Sequence, residues 1–261
     1  MMTAQVVGAD NLTFLAPCEL LDWDTSFWEI SIARVRSTSL TPHSAIRIGH
    51  WAQEHGVRCL YFLGQADDAI TAHTAKLHGY QLMDVRTTMI CSFSNTLFPN
   101  HPGAENGAVH VRPFRDGDLP TLQLITHDCY QDTRFYLDRN FADARCRELY
   151  ETWIARSSAG YADVVLVAEF GNVICGFISC HFDPLTGTGT IGLVGVSAQV
   201  RKQGVGRVLM QQALLWFRQR RTREIRVVTQ GANIAAQRLY HRSGFQITDK
   251  AIWFHKWYPG A

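Results

Sequence analysis

The chain has 261 residues, of which 46% are apolar and 18% are charged. This composition provides a hydrophobic core and excludes a disordered or collagen-like protein. Lysine and arginine total 25 against 23 aspartate and glutamate residues, so the strongly basic balance of a general nucleic-acid binder is also excluded.

The N-terminal part of the chain predicts a small β-α-β-α-β unit. Apolar runs at 58–63 and 82–90 are typical of strands. Each run follows a predicted helix, at 41–56 and at 67–79, and each helix ends at a glycine, as helices often do.

A linker is predicted at residues 93–108, where two prolines and two glycines stand among small polar residues. We therefore expect an N-terminal α/β domain at 1–105 and a second domain at 106–261. The start of the chain lacks a basic segment followed by an apolar run, which favours a cytoplasmic location.

The second half predicts a longer series of strands and helices. Asp116 or Asp118 is expected to cap its first helix. In chain order the predicted elements are a strand at 108–114, helices at 119–130 and 141–157, a hairpin at 164–182, a strand at 190–197, a helix at 205–218, a strand at 225–229, a helix at 233–243 and a last strand through residues 253 and 257.

A strand-loop-helix at residues 190–209 is the clearest candidate for a binding site. Gly204 and Gly206 stand at the helix entrance, where free N–H groups and the positive end of the helix dipole favour an anion such as pyrophosphate. Lys202 and Arg207 add positive charge. The P-loop and dinucleotide-binding patterns are missing, and a tight turn without a ligand remains an alternative.

Two motifs together resemble the GNAT superfamily of acetyl-CoA-dependent N-acetyltransferases, over about residues 108–258. They are Arg201-x-x-Gly204-x-Gly206 and Asn233-x-x-Ala236-x-x-Leu239-Tyr240-x-x-x-Gly244-Phe245. The resemblance implies the α/β (α+β) GNAT fold, a mixed central sheet flanked by helices, here with a smaller N-terminal α/β domain. It also implies direct transfer of acetyl from acetyl-CoA to a primary amine.

The resemblance also implies a site. In the superfamily the main chain of the strand matched by Val194, Gly195 and Val196 pairs with the pantetheine arm, at a bulge that a glycine suits. Tyr240 is implied as the general acid that protonates the departing thiolate. The implied acetyl-CoA-binding residues are Val194, Gly195, Val196, Lys202, Gln203, Gly204, Val205, Gly206, Arg207, Asn233 and Tyr240.

The sequence leaves the general base open. Some relatives use a glutamate on the strand before the asparagine, but the corresponding segment 225–230 has no acidic residue. His181, Asp183 and Glu169 are candidates, and a water chain or a substrate that binds already deprotonated is the favoured alternative. We therefore expect that no single acid-to-amide change abolishes turnover as Tyr240→Phe does.

The acceptor is expected to contact residues 130–138, a region that GNAT relatives close over the substrate. Arg134 is the candidate for a nucleotide phosphate, and Tyr136 or Phe135 for stacking on a base or sugar. The segments 21–27, 59–63, 228–240 and 253–257 resemble GNAT members that acetylate the 4-amino group of a dTDP-linked dideoxygalactose. The favoured acceptor is therefore a deoxyamino-sugar nucleotide.

Other partners are not expected. The seven cysteines and eleven histidines show no metal-ligand spacing, and the basic run 218–226 is typical of a solvated helix end rather than of a nucleic-acid site. The resemblance implies a homodimer. Two alternatives stay open, namely a GNAT acting on another amine, such as a protein N-terminus or an aminoglycoside, and an acyl-CoA sensor without turnover.

Overall fold

The computed structural model describes residues 16–92 and 109–259. The predicted linker at 93–108 lies outside the described residues. Within the described ranges, no helix has both the length and the apolar character needed to cross a membrane.

Ten strands form one sheet in the order β1-β2-β3-β10-β4-β9-β8-β7-β6-β5. Neighbouring strands are antiparallel except for the parallel pairs β2–β3 and β8–β9. The strands are β1 (Cys18–Leu20), β2 (Ile32–Val35), β3 (Cys59–Gln65), β4 (Gln81–Ser92), β5 (Val109–Pro113), β6 (Val164–Phe170), β7 (Val173–Asp183), β8 (Thr188–Val196), β9 (Glu224–Gln230) and β10 (Gln246–Trp257).

Helices flank this mixed sheet, which has the architecture of the GNAT fold as expected. They are α1 (Asp22–Trp28), α2 (Pro42–Glu54), α3 (Ala69–Leu77), α4 (Leu119–Cys129), α5 (Arg134–Leu137), α6 (Asp143–Arg156), α7 (Val205–Gln219) and α8 (Ile234–Arg242).

The sheet joins strands from both parts of the chain. The last strand, β10, lies between β3 and β4, and β4 in turn pairs with β9. The N-terminal strands therefore extend the sheet of the C-terminal part. The division into domains at residue 105 stays a prediction.

Two predicted helices begin and end where their capping residues indicate. The Thr41 hydroxyl accepts a hydrogen bond from the N–H of Ser44 at the start of α2, and Gly56 just beyond its end has φ of 61°. Asp68 accepts from the N–H of Thr71 at the start of α3, and Gly79 beyond it has φ of 77°. A side-chain acceptor and a left-handed glycine thus define both boundaries.

Asp118 occupies the N-cap position of α4, as expected for one of the two candidates, but its side chain does not cap the helix. It accepts hydrogen bonds from the Arg112 guanidinium at 2.7 and 2.9 Å and from the N–H of Arg115. The buried ion pair with Arg112 takes the oxygen atoms that a cap needs.

Candidate active site

The sheet opens between two parallel strands. Pairing of β8 with β9 runs from Thr188–Glu224 to Ile191–Val227, and β8 then continues to Val196 against β7 alone. Beyond Ile191, one edge of β8 therefore lacks a neighbouring strand.

An irregularity in β8 marks the same point. Ile191 pairs with Cys180 and Val194 with Ile178, so two residues of β8, Gly192 and Leu193, lie opposite the single residue Ser179 of β7. The Ser179 hydroxyl accepts a hydrogen bond from the N–H of Leu193 at 2.8 Å. The strand bulges where it leaves β9.

The expected bulge at Gly195 is wrong, because Gly195 pairs regularly with Phe177. A Cβ atom at Gly195 would lie 2.6 Å from the buried Phe177 ring and 3.2 Å from Ile125. Close packing, rather than an irregular backbone, therefore requires glycine at this position.

Two side chains donate hydrogen bonds to carbonyl groups at the open edge of β8. The N–H of Ser197 donates to Cys175 of β7, and peptide groups alternate in direction along a strand. The peptide groups of Val194 and Val196 therefore face the side that β9 has left. The Val194 carbonyl accepts a hydrogen bond from the Tyr130 hydroxyl at 3.0 Å, and the Val196 carbonyl accepts from Cys129 at 3.5 Å. This edge presents backbone groups to an extended ligand.

The loop after β8 has the geometry of an anion site. Lys202 and Gly204 have positive φ angles of 66° and 87°, and Gly204 is the N-cap of α7. The carbonyl of Gly204 accepts from the N–H groups of Arg207 and Val208, while the first amides of a helix have no intrahelical partner. The exposed residues are Arg201, Lys202, Gln203, Gly204 and Arg207.

Tyr240 of α8 lies near the open edge of β8, and Asn233 is the N-cap residue of the same helix. The Asn233 side-chain oxygen caps this helix by accepting from the N–H of Ala236 at 3.0 Å, which leaves its amide nitrogen as a donor. Tyr240 is buried in the apolar cluster against which Val194 and Val196 pack. Burial raises the pKa of the Tyr240 phenol above its ordinary value, so the group holds its proton at neutral pH.

A cavity of about 810 Å³ lies at the bulge. Ser179, His181, Gly192 and Leu193 form its wall on the sheet. The other walls come from the N-terminal part of the chain, from α5, from the end of α6 and from β10. Their charged or aromatic residues include Trp23, Asp24, Arg34, Arg134, Arg156 and Trp253.

The cavity is positively charged. Three guanidinium groups line it against one carboxylate, that of Asp24, and the Arg34 guanidinium also pairs with Glu19 outside the lining. Burial raises the pKa of the Asp24 carboxyl, and it raises the pKa of nearby Asp84 to about 6. The positive charge of Arg134 partly offsets the rise in both pKa values. The charge and the aromatic walls suit an anionic ligand that carries a ring.

The structure separates the two predicted acceptor contacts. Arg134 lines the 810 Å³ cavity together with Phe135, the alternative stacking residue. Tyr136 instead lines a second cavity of about 540 Å³, with His127 and Arg147. The roles of Arg134 and Tyr136 stay predictions.

The three candidate bases also differ in position. Glu169 pairs with Arg112, and Asp183 is exposed and accepts from the Thr186 hydroxyl in a turn. His181 lines the cavity, and burial lowers the pKa of its imidazole below 6.5, so the ring is neutral at pH 7.

The sequence did not indicate a buried polar cluster behind Arg134. Asp138, His255 and Cys59 place possible ligand atoms within 4.8 Å of one another. Both imidazole nitrogens of His255 already have partners, Asp138 at 2.6 Å and Arg134 at 2.8 Å. These hydrogen bonds occupy both ring nitrogens, so the imidazole has no free nitrogen for a metal ion.

Known proteins are similar to this chain in sequence. Residues 125–245 match the model of the Acetyltransferase (GNAT) family. The dTDP-fucosamine acetyltransferase of Escherichia coli is 27% identical over 249 residues, which cover 92% of this chain and 98% of that protein. The spore coat polysaccharide biosynthesis protein SpsD of Bacillus subtilis is 23% identical over 155 residues, 57% of this chain and 50% of that protein.

Solved structures share the fold. A GCN5-related N-acetyltransferase from Sphaerobacter thermophilus superposes with a TM-score of 0.63 at 17% identity, over 94% of this chain and 77% of that chain. A functionally unknown conserved protein from Staphylococcus epidermidis superposes with a TM-score of 0.67 at 14% identity, over 96% of this chain and 94% of that chain. The chain therefore has the GNAT fold. The match of residues 125–245 to the Acetyltransferase (GNAT) family identifies an acetyltransferase domain within it.

Proposed function

We propose that this protein transfers acetyl directly from acetyl-CoA to the primary amine of a deoxyamino-sugar nucleotide, such as dTDP-4-amino-4,6-dideoxygalactose. The observation that carries the proposal is the arginine-lined cavity at the point where β8 separates from β9. The E. coli relative, which matches nearly the whole chain, supports the same class of acceptor through its name.

The residues of the open edge fit acetyl-CoA. Exposed backbone at Gly204 and the start of α7 suits the pyrophosphate, and the peptide groups of Val194 and Val196 suit the amide-containing pantetheine arm. The bound molecule supplies a thioester whose carbonyl carbon the amine attacks. An N–H of the β8 edge is placed to donate to the thioester oxygen as negative charge develops there.

Tyr240 acts as the general acid in this proposal. Because its phenol stays protonated at neutral pH, it holds a proton for the sulfur that leaves when the carbon–sulfur bond breaks. The amine loses one proton, and neutral His181 in the cavity wall is placed to accept it directly or through solvent. The enzyme itself is not acylated, and no cysteine acts as a nucleophile.

The cavity explains the preference for a nucleotide-linked acceptor. The guanidinium groups of Arg34, Arg134 and Arg156 provide charge for a diphosphate, and the rings of Trp23 and Trp253 provide apolar walls for a base or sugar. Positioning the amine beside the thioester supplies several kcal/mol of barrier reduction, about 7–11 kcal/mol at best. A cytoplasmic location and a homodimer remain part of the proposal.

Mass spectrometry of incubations with acetyl-CoA tests the proposal. The acceptors are an amino-sugar nucleotide, the same amino sugar without the nucleotide, an N-terminal peptide and an aminoglycoside. We expect the sugar nucleotide to gain one acetyl group fastest, and Tyr240→Phe to slow the gain. Acetylation of the peptide or aminoglycoside alone contradicts the acceptor. CoA binding without any product favours a sensor.

A further inference from the structure

Arg134 is held by a buried network rather than by a direct ion pair. Its guanidinium donates to Nε2 of His255 at 2.8 Å, and Nδ1 of His255 lies 2.6 Å from the Asp138 carboxylate. The imidazole of His255 is fully buried, with a side-chain exposure of 0%, and Asp138 is almost as buried at 1%.

The protons in this network follow from the donors available. A guanidinium can only donate, so Nε2 of His255 must accept, and the ring proton must lie on Nδ1 and be donated to Asp138. The imidazole is therefore neutral. Burial lowers its pKa to about 4, although the hydrogen bond to Asp138 acts in the opposite direction.

Asp138 remains a carboxylate. Burial alone would raise its pKa, but hydrogen bonds from His255, from the Trp257 indole and from Asn140 together lower it. The indole N–H donates at 2.8 Å, and the Asn140 side chain donates at 2.8 Å to the other oxygen. Each oxygen thus faces donors, which fixes the carboxylate and, through it, the imidazole.

The aromatic surroundings fix Arg134 further. Its guanidinium carbon lies 4.2 Å from the ring centroids of Tyr61, Phe135 and Trp253. The bond to His255 uses one of its five N–H donors, and the group lines the cavity. Since a neutral imidazole stands between Arg134 and Asp138, the guanidinium is oriented without a direct ion pair to Asp138.

We propose that Asp138 and His255 are positioning residues that orient the Arg134 guanidinium to bind the diphosphate of the acceptor. This inference rests on the proposed function, because it assumes that the cavity receives a phosphate-bearing acceptor. Two fully buried polar side chains, those of Asp138 and His255, orient one half-buried arginine at the cavity wall. Preorientation of this kind lowers the entropic cost of binding.

Calorimetry with the full chain and CoA present tests the inference, with inorganic pyrophosphate and thymidine diphosphate as probes. His255→Leu, which removes both hydrogen bonds, should weaken binding of either probe about tenfold, or about 1.4 kcal/mol. His255→Gln, which keeps an acceptor and a donor, should restore most of the affinity. CoA affinity and the melting temperature show whether each variant is folded.

A double-variant cycle separates positioning from general stability. If His255 acts through Arg134, then Arg134→Met combined with His255→Leu should bind no more weakly than Arg134→Met alone. Additive losses overturn the inference, as does unchanged probe affinity in His255→Leu. Should His255→Leu not fold, Asp138→Asn replaces it. This change should also weaken binding, because the new NH2 group must face either the donors of His255 and Trp257 or the donor of Asn140.

The two proposals fail differently. Pyrophosphate binding that depends on His255, without acetylation of any sugar nucleotide, overturns the proposed function but leaves the positioning role. Acetylation of sugar nucleotides with a rate and KM unaffected by His255→Leu overturns the positioning role alone. If neither probe binds the wild-type protein, the inference is wrong.

Discussion

Replacing Gly195 by alanine tests the link between packing and the open edge of β8. A Cβ atom there would lie 2.6 and 2.8 Å from two atoms of the Phe177 ring and 3.2 Å from Ile125. Phe177 is fully buried, so its ring cannot turn into solvent. Either the ring or the strand that carries Val194 and Val196 must move.

The expected cost follows from overpacking. Adding a methyl group to a well-packed core typically costs about 1–3 kcal/mol. For a chain of this size, each kcal/mol lowers Tm by about 2–4 °C. The shortest contact must lengthen by about 0.8 Å, from 2.6 Å to an ordinary 3.4 Å, and the ring and the strand can share this shift. We therefore expect CoA affinity to fall about tenfold, less than the roughly 10²-fold loss of rate that a 1 Å misplacement can cause.

Thermal unfolding and calorimetry with CoA are the assays. Gly49→Ala in α2 is the matched control, because a Cβ there meets nothing within 4 Å and should stabilise the helix by roughly 0.5–1 kcal/mol. Phe177→Leu in the Gly195→Ala background should recover part of the CoA affinity by making room. A Gly195→Ala variant with wild-type Tm and CoA affinity would refute the packing argument.

Three further predictions concern catalysis, the cavity and pH. Tyr240→Phe should lower kcat by about 10²–10⁴-fold with CoA affinity retained, as single-turnover and binding measurements would show, and a smaller loss contradicts the acid role. Gly192→Ala places a Cβ 2.7 Å from the Ser179 hydroxyl, so steady-state kinetics should show a raised KM for the acceptor and an unchanged KM for acetyl-CoA. The low pKa of His255, about 4 against 6.5 when unfolded, means that its contribution to stability is complete above pH 6.5 and falls by about 1.4 kcal/mol per pH unit towards pH 4. Denaturant unfolding across this range should show a shallower fall for His255→Gln, and parallel curves contradict the assignment.

Local patterns predicted much of the fold. The hairpin around Gly171 and the helix limits at Thr41, Gly56 and Gly79 match the structure, since each depends on residues near one another in the chain. Capping and alternation are local signals that sequence alone carries.

The pairing of strands that are far apart in the chain could not be predicted from the sequence. The placement of β10 between β3 and β4 joins segments far apart in the chain, and α1 and the short strands beside it had no assigned pattern. In the network of Arg134, Asp138 and His255, Asp138 and His255 are 117 residues apart in the chain. The packing of α5 against the sheet, and not any local pattern, brings these side chains together.

The candidate site was predicted in part. The positive φ at Gly204 agrees with the expected glycine at the entrance of α7. The acetyl-CoA contacts of Lys202, Gly204 and Asn233 stay predictions. The bulge was expected at Gly195 but lies at Gly192 and Leu193, because a strand irregularity depends on register with its neighbour and not on one glycine.

Calorimetric titration of the wild-type chain with CoA tests most directly whether the backbone from Val194 to Arg207 forms the coenzyme site. We predict one molecule bound per chain, and weaker binding after Gly204→Val, since valine does not readily adopt the φ of 87° found there. Absence of any heat of binding, or undiminished affinity in the folded Gly204→Val variant, would contradict the account.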